Sequence, residues 1–220
     1  MAKKSFSIGS RLGRAELVIG NAMTSDDIKK AVARYNYNEA RFQEGLQLCE
    51  RARKLSNQQS KAHGEKIEAT DVLQKKMKTL KKKYQEHLEL ARMALSNDSA
   101  AVQMLALSGQ RKRRIDSWLE DVRQFYTNAL NEPKVITGLS RYAVTKKDLE
   151  QGRKLMEEVE KAAADQEKKK GLAKQATKER NTALKELEQW VSRLIKICRM
   201  ALGKDSQKLE KLGIVVPSRK

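Results

Sequence analysis

Displaced by 107 residues, the chain aligns with itself without a gap, from Ile8 on Ile115 to Leu107 on Ile214, and 25 of the 100 aligned pairs are identical. Arg34-Tyr35 meets Arg141-Tyr142, Gly45 meets Gly152, Gly64 meets Gly171, and Arg92-Met93-Ala94-Leu95 meets Arg199-Met200-Ala201-Leu202. A residue with a duplicated role should have a counterpart, and one without a counterpart needs its own reason. Amphipathic repeat units of this size cannot bury their apolar faces alone. The copies, 8–107 and 115–214, are therefore expected to pack on each other in a single helical domain spanning 1–220.

Charged residues make up 34% of the chain and only Pro133 and Pro217 interrupt it, which suits long helices and argues against a sheet. Each copy opens with a short amphipathic segment, 8–23 or 115–130. A helix start follows: Thr24-Ser25-Asp26-Asp27 supplies a cap and first-turn acids, and Asn131-Glu132-Pro133 places proline near the first helical position. From there a heptad-like stripe runs through Ile28, Val32, Tyr35, Phe42, Leu46 and Cys49, and through Val135, Leu139, Tyr142, Leu149 and Met156. A second stripe joins Leu73, Met77, Leu80, Tyr84, His87, Ala91 and Ala94, matched by Arg180, Leu184, Leu187, Val191, Leu194, Cys198 and Ala201.

Between the stripes the sequence turns polar and ends on Gly64 or Gly171. A glycine after a polar run fits a helix C-terminus, so each copy is expected to form an αα-hairpin there. Two hairpins related by a pseudo-twofold give a four-helix bundle with extra short helices. In that arrangement Glu50 lies opposite Lys78, Glu157 opposite Lys185, and Tyr35 opposite Met93. The hairpins pack either as that bundle or as a long antiparallel coiled-coil core. The competing arrangement is one unbroken helix of about seventy residues in each copy, a rod of about 100 Å, since a lone glycine costs a helix only about 1 kcal/mol. Beyond the second stripe, Leu105-Ala106-Leu107 and Leu212-Gly213-Ile214-Val215-Val216 are expected to pin the chain across the bundle end.

The net charge is +19. It divides evenly between the copies: residues 5–111 carry 19 basic and 12 acidic side chains, and residues 112–218 carry 24 and 16. Basic residues mixed with acids are the ordinary surface of a soluble helical protein with a positive tilt. Cys49 aligns with Met156 and Cys198 with Ala91, so both are expected to be reduced core residues. No stretch approaches a membrane span and no apolar leader follows the charged start, which makes a cytoplasmic protein the expectation.

Neither histidine has a glutamate three residues before it, as a bundle metal site would require, and His87 aligns with Leu194, so it is read as a structural histidine. No Cys-x-x-Cys, phosphate loop or nucleophile triad is present, so an enzyme is not expected, and neither a cofactor nor a small-molecule substrate is indicated. The recurring Arg34/Arg141, Arg92/Arg199 and Thr70/Thr177 are read as packing and ion-pair positions. The candidate contacts for a partner or nucleic acid are Arg111, Lys112, Arg113 and Arg114, which are not duplicated, together with Lys81, Lys82 and Lys83. The expected function is a non-enzymatic scaffold or adaptor that binds a protein partner or self-associates. The alternative is a basic protein that holds nucleic acid through its phosphate backbone, and a membrane-surface role ranks third.

Overall fold

The computed structural model describes residues 6–109, 114–203 and 207–214. These are helical, with no strand among the described residues. The order is α1 (Ile8–Thr24), α2 (Asp26–Ala33), α3 (Glu39–Ala94), α4 (Ser99–Met104), α5 (Ile115–Asn131), α6 (Pro133–Ser140), α7 (Lys146–Leu202) and a 3-10 helix, Gln207–Leu212. The chain divides into two compact units. Unit 1 is Met1–Gly64 with Gly171–Lys220, and unit 2 is Glu65–Lys170.

The bounds of α1 and α2 recur in α5 and α6 after 107 residues. In α1, Leu12, Ala15, Val18, Ile19 and Ala22 form one buried stripe at helical spacing, and the Ser7 hydroxyl caps it by accepting from the Ser10 amide. Pro133 stands at the first position of α6, where its missing N–H costs nothing.

The stripe from Ile28 does not run on one helix, as the sequence suggests. It breaks after α2, because Asn36 turns into the left-handed region at φ 64° and the Tyr37 amide closes back on the Val32 carbonyl. Asn38 then starts α3 afresh, its side chain accepting from the Arg41 amide. Ala143 makes the same left-handed turn at φ 62°, and the Val144 amide bonds the Leu139 carbonyl. Thr145 and Asp148 next form a reciprocal capping box at the start of α7.

The expected hairpins are not formed. Both α3 and α7 continue through Gly64 and Gly171, with no cap or turn residue to stop them. Glu50 and Lys78 lie on the same unbroken helix, as do Glu157 and Lys185, so neither pair faces across a hairpin. Each long helix instead takes the other as its antiparallel partner. In unit 1, Arg51 bonds Glu186 at 2.9 Å and Arg180 donates to Gln59 at 2.8 Å. In unit 2, Lys76 meets Glu158 at 2.6 Å and Lys169 meets Glu65 at 2.7 Å. Each unit is thus built from the first half of one of the two aligned segments, 8–107 and 115–214, and the second half of the other.

The core of unit 1 gathers Ile19, Ile28, Phe42, Leu184, Leu187, Leu194 and both cysteines, closed by Leu209, Leu212 and Ile214. That of unit 2 gathers Leu80, Val122, Phe125, Tyr126, Leu139 and Leu149, closed by Leu105 and Leu107. The apolar segments after each long helix therefore pack as expected as far as Ile214; Val215 and Val216 lie outside the described residues. Tyr142, expected on the apolar stripe, is exposed.

Candidate partner-binding grooves

Each unit has a groove between its entry helix and the C-terminal half of a long helix. In unit 2 the groove lies between α5 and α3 and encloses about 340 Å³. Trp118, in the first turn of α5, packs edge-on against Tyr84 at 6.1 Å, and the Lys81 ammonium sits 5.6 Å from its ring centre. At the far end Arg92 donates from Nε to the Leu107 carbonyl at 2.7 Å, which fixes the chain after α4.

In unit 1 the corresponding groove lies between α1 and α7 and encloses about 610 Å³. Val191 and Ile195 form its apolar side, with exposed Phe6 at the rim. Arg11 makes a two-pronged contact with Glu188, at 2.6 and 2.9 Å, which holds its guanidinium firmly protonated. Every residue lining the unit 2 groove stands 107 positions from one lining the unit 1 groove. Lys81 pairs with Glu188, Tyr84 with Val191, Leu88 with Ile195, Arg92 with Arg199 and Trp118 with Arg11. The same backbone wall carries a cation over an aromatic ring in one unit and an ion pair in the other.

A further groove in unit 1 lies between α3 and α7 and encloses about 870 Å³. Arg51 and Lys54 line one bank, Lys174 and Lys178 the other, with Leu55 as the apolar lining and Glu179 as an acid.

The polar centre of unit 2 is His87, 1% exposed, whose Nδ1 lies 3.2 Å from the Tyr126 hydroxyl. Burial, with Lys83 adding its charge, pushes His87 down to about 4, so its ring is neutral near neutral pH. The same burial raises the Tyr126 phenol. Cys49 and Cys198 are free and buried, and burial raises both thiols to about 11, far from a reactive thiolate. Among the described residues no three His, Cys, Asp or Glu side chains converge as a metal site would require.

The sequence-derived candidate contacts do not form one patch. Lys81 turns to Trp118, whereas Lys83 turns to Asp148 at 3.8 Å and Lys82 is exposed. Arg114 stands at the N-cap, just before α5, and meets Asp116 at 3.7 Å, both side chains being solvent-exposed. Arg111, Lys112 and Arg113 lie outside the described residues. The recurring polar pairs serve structure where their contacts are seen: Thr70 and Thr177 each bond the carbonyl four residues back at 2.8 Å, and Arg34 stacks on Tyr35. The cations of the α3–α7 groove were not singled out from sequence because Arg51 and Lys174 are far apart along the chain. Only the antiparallel pairing brings them together.

No protein-family model matches the chain, and no curated protein and no solved structure matches it. Among the described residues no helix is long and apolar enough to cross a membrane.

Proposed function

We propose that this protein is a non-enzymatic helical adaptor, built by internal duplication around a pseudo-twofold, that presents two related grooves to protein partners. The observation carrying this reading is the correspondence of the α5–α3 and α1–α7 grooves, position by position at a spacing of 107 residues, with different side chains at nearly every place. Packing alone accounts for the retained Arg92 and Arg199. It does not account for the charged rim above that largely buried apolar wall being rewritten between the units, from Lys81 and Glu89 to Glu188 and Lys196. Duplicated grooves with divergent rims suit an adaptor that holds two different ligands, or two copies of this chain. The free, unbridged Cys49 and Cys198 accord with a reducing compartment such as the cytoplasm.

Photo-crosslinkers at Ser192 and at Gln85 test the proposal, with exposed Lys61 as the control. A partner, whether another protein or a second copy, must be captured from at least one groove position. Capture at Gln85 must fall when Trp118→Ala removes the neighbouring wall. Crosslinking no stronger than at Lys61 from both positions sinks the adaptor reading.

A further inference from the structure

Positive charge is shared evenly by the two sequence repeats but not by the two folded units. Unit 1 contains 24 basic and 11 acidic residues, whereas unit 2 contains 23 and 17. The difference is concentrated in the α3–α7 groove. Its banks carry four cations, Arg51, Lys54, Lys174 and Lys178, against the single acid Glu179. At the positions 107 residues away, in unit 2, stand two cations, Lys75 and Lys161, against four acids, Glu68, Asp71, Glu158 and Asp165.

Unit 2 thus pairs the same two helices with the opposite sign of charge. Helix pairing does not require the basic banks of unit 1, and an ordinary solvated helix surface does not explain them. Arg51 is held by Glu186 at 2.9 Å, but Lys54, Lys174 and Lys178 enter none of the ion pairs formed among the described residues. Three ammonium groups outside those ion pairs therefore stand around one open groove that holds a single acid, Glu179.

We propose that this groove binds the phosphate backbone of a nucleic acid. Its lining decides between polyanions. Leu55 is its one apolar contributor, and Gln58, Gln175 and Thr182 supply neutral hydrogen-bonding groups. An acidic protein segment gains its affinity from buried apolar and aromatic anchors, which this groove does not accommodate. A phosphate backbone asks for cations and polar donors, and these are present. No aromatic lines the groove to stack an unpaired base, so recognition is of the backbone, independent of sequence. The site is separate from the two related grooves, and the proposal stands whether or not proteins occupy them.

Fluorescence anisotropy of the full chain with a labelled random-sequence DNA duplex tests it, across a salt titration. Lys174→Gln with Lys178→Gln is compared with Lys75→Gln plus Lys161→Gln, which removes equal charge from the corresponding face of unit 2, at the positions aligned with Thr182 and Lys54. All four lysines are exposed, and circular dichroism checks that both variants fold; Lys54→Gln replaces the groove pair should that variant not fold. The expected result is that the groove pair weakens binding about tenfold at low salt and lowers the slope of log affinity against log salt by about two, one per phosphate contact. The unit 2 pair should change both little. Absence of wild-type binding at low salt overturns the proposal, as does an equal loss in both variants, which marks diffuse attraction to a basic protein. Displacement of the duplex by polyglutamate as readily as by unlabelled duplex at equal charge also overturns it, in favour of an acidic protein ligand.

Discussion

Arg53 on α3 holds Glu16 on α1 in a salt bridge of 2.5 Å. At the positions 107 residues on, Glu160 on α7 holds Arg123 on α5, also at 2.5 Å, with acid and base exchanged. The contact between entry helix and long helix is kept while the charges trade places. Substituting Glu16→Arg or Arg53→Glu alone is expected to lower the melting temperature slightly, as exposed pairs contribute little. The double reversal should recover most of that loss, since unit 2 already uses that polarity. A double-mutant cycle by thermal denaturation checks this, and additive losses would count against it.

Four glycines recur in pairs, and the structure separates their roles. A methyl on Gly45 would lie 2.6 Å from the Trp190 ring, and one on Gly152 would collide with the Tyr126 ring. Gly64 and Gly171, inside unbroken helices, have nothing within 4 Å of that position. Gly45→Ala and Gly152→Ala should each cost about 1–3 kcal/mol through overpacking. Gly64→Ala and Gly171→Ala should each stabilise by about 0.5–1 kcal/mol, because a freer backbone is removed from a helix interior. Urea denaturation of the four variants reads out both signs.

These glycines also show how far the sequence could be read. Their recurrence was visible, and so were the helical class, the short helices ending within a residue of Thr24 and Asn131, and the acidic or proline start of α2 and α6. A glycine that admits a neighbouring ring looks the same in sequence as one that ends a helix, which is why Gly64 and Gly171 suggested turns. The break at Asn36 was hidden because the apolar stripe stays in phase across it. The groove of Arg51, Lys54, Lys174 and Lys178 was hidden because heptad patterns mark which side of a helix is buried but not which helix buries it.

Asn36 and Ala143 occupy equivalent left-handed turns, but only asparagine tolerates that backbone readily. Ala143→Asn should therefore stabilise the chain by about 0.5–1 kcal/mol. Asn36→Ala should cost a similar amount. Opposite shifts in urea midpoint are the expected outcome, and shifts of the same sign would contradict it.

His87 makes stability depend on pH. In the folded chain it takes up a proton at about 4, against 6.5 for an unburied histidine. Between those values the unfolded chain binds the proton and the folded chain does not. The stabilising effect of the neutral ring is therefore complete above pH 6.5 and lost as pH falls toward 4, a change on the order of 3 kcal/mol. His87→Leu with Tyr126→Phe, which removes the ring and the hydroxyl beside it, should flatten stability over that window. The carboxylates lowered by partners, Asp27, Asp148 and Glu158, would still lose stability at more acidic pH. A variant that keeps the wild-type slope between pH 6.5 and 4 would show that His87 is not its source.

The pairing of α3 with α7, which assembles the groove of Arg51, Lys54, Lys174 and Lys178, can be tested on the unmodified chain. Zero-length carbodiimide crosslinking of monomeric protein, read by peptide mass spectrometry, joins an ammonium to a carboxylate it already touches. The interleaved fold predicts Lys76–Glu158 and Lys169–Glu65 crosslinks, whose charged atoms lie 2.6 and 2.7 Å apart. Crosslinks between Glu50 and Lys78 and between Glu157 and Lys185, with those two absent, would restore the hairpins and contradict the account.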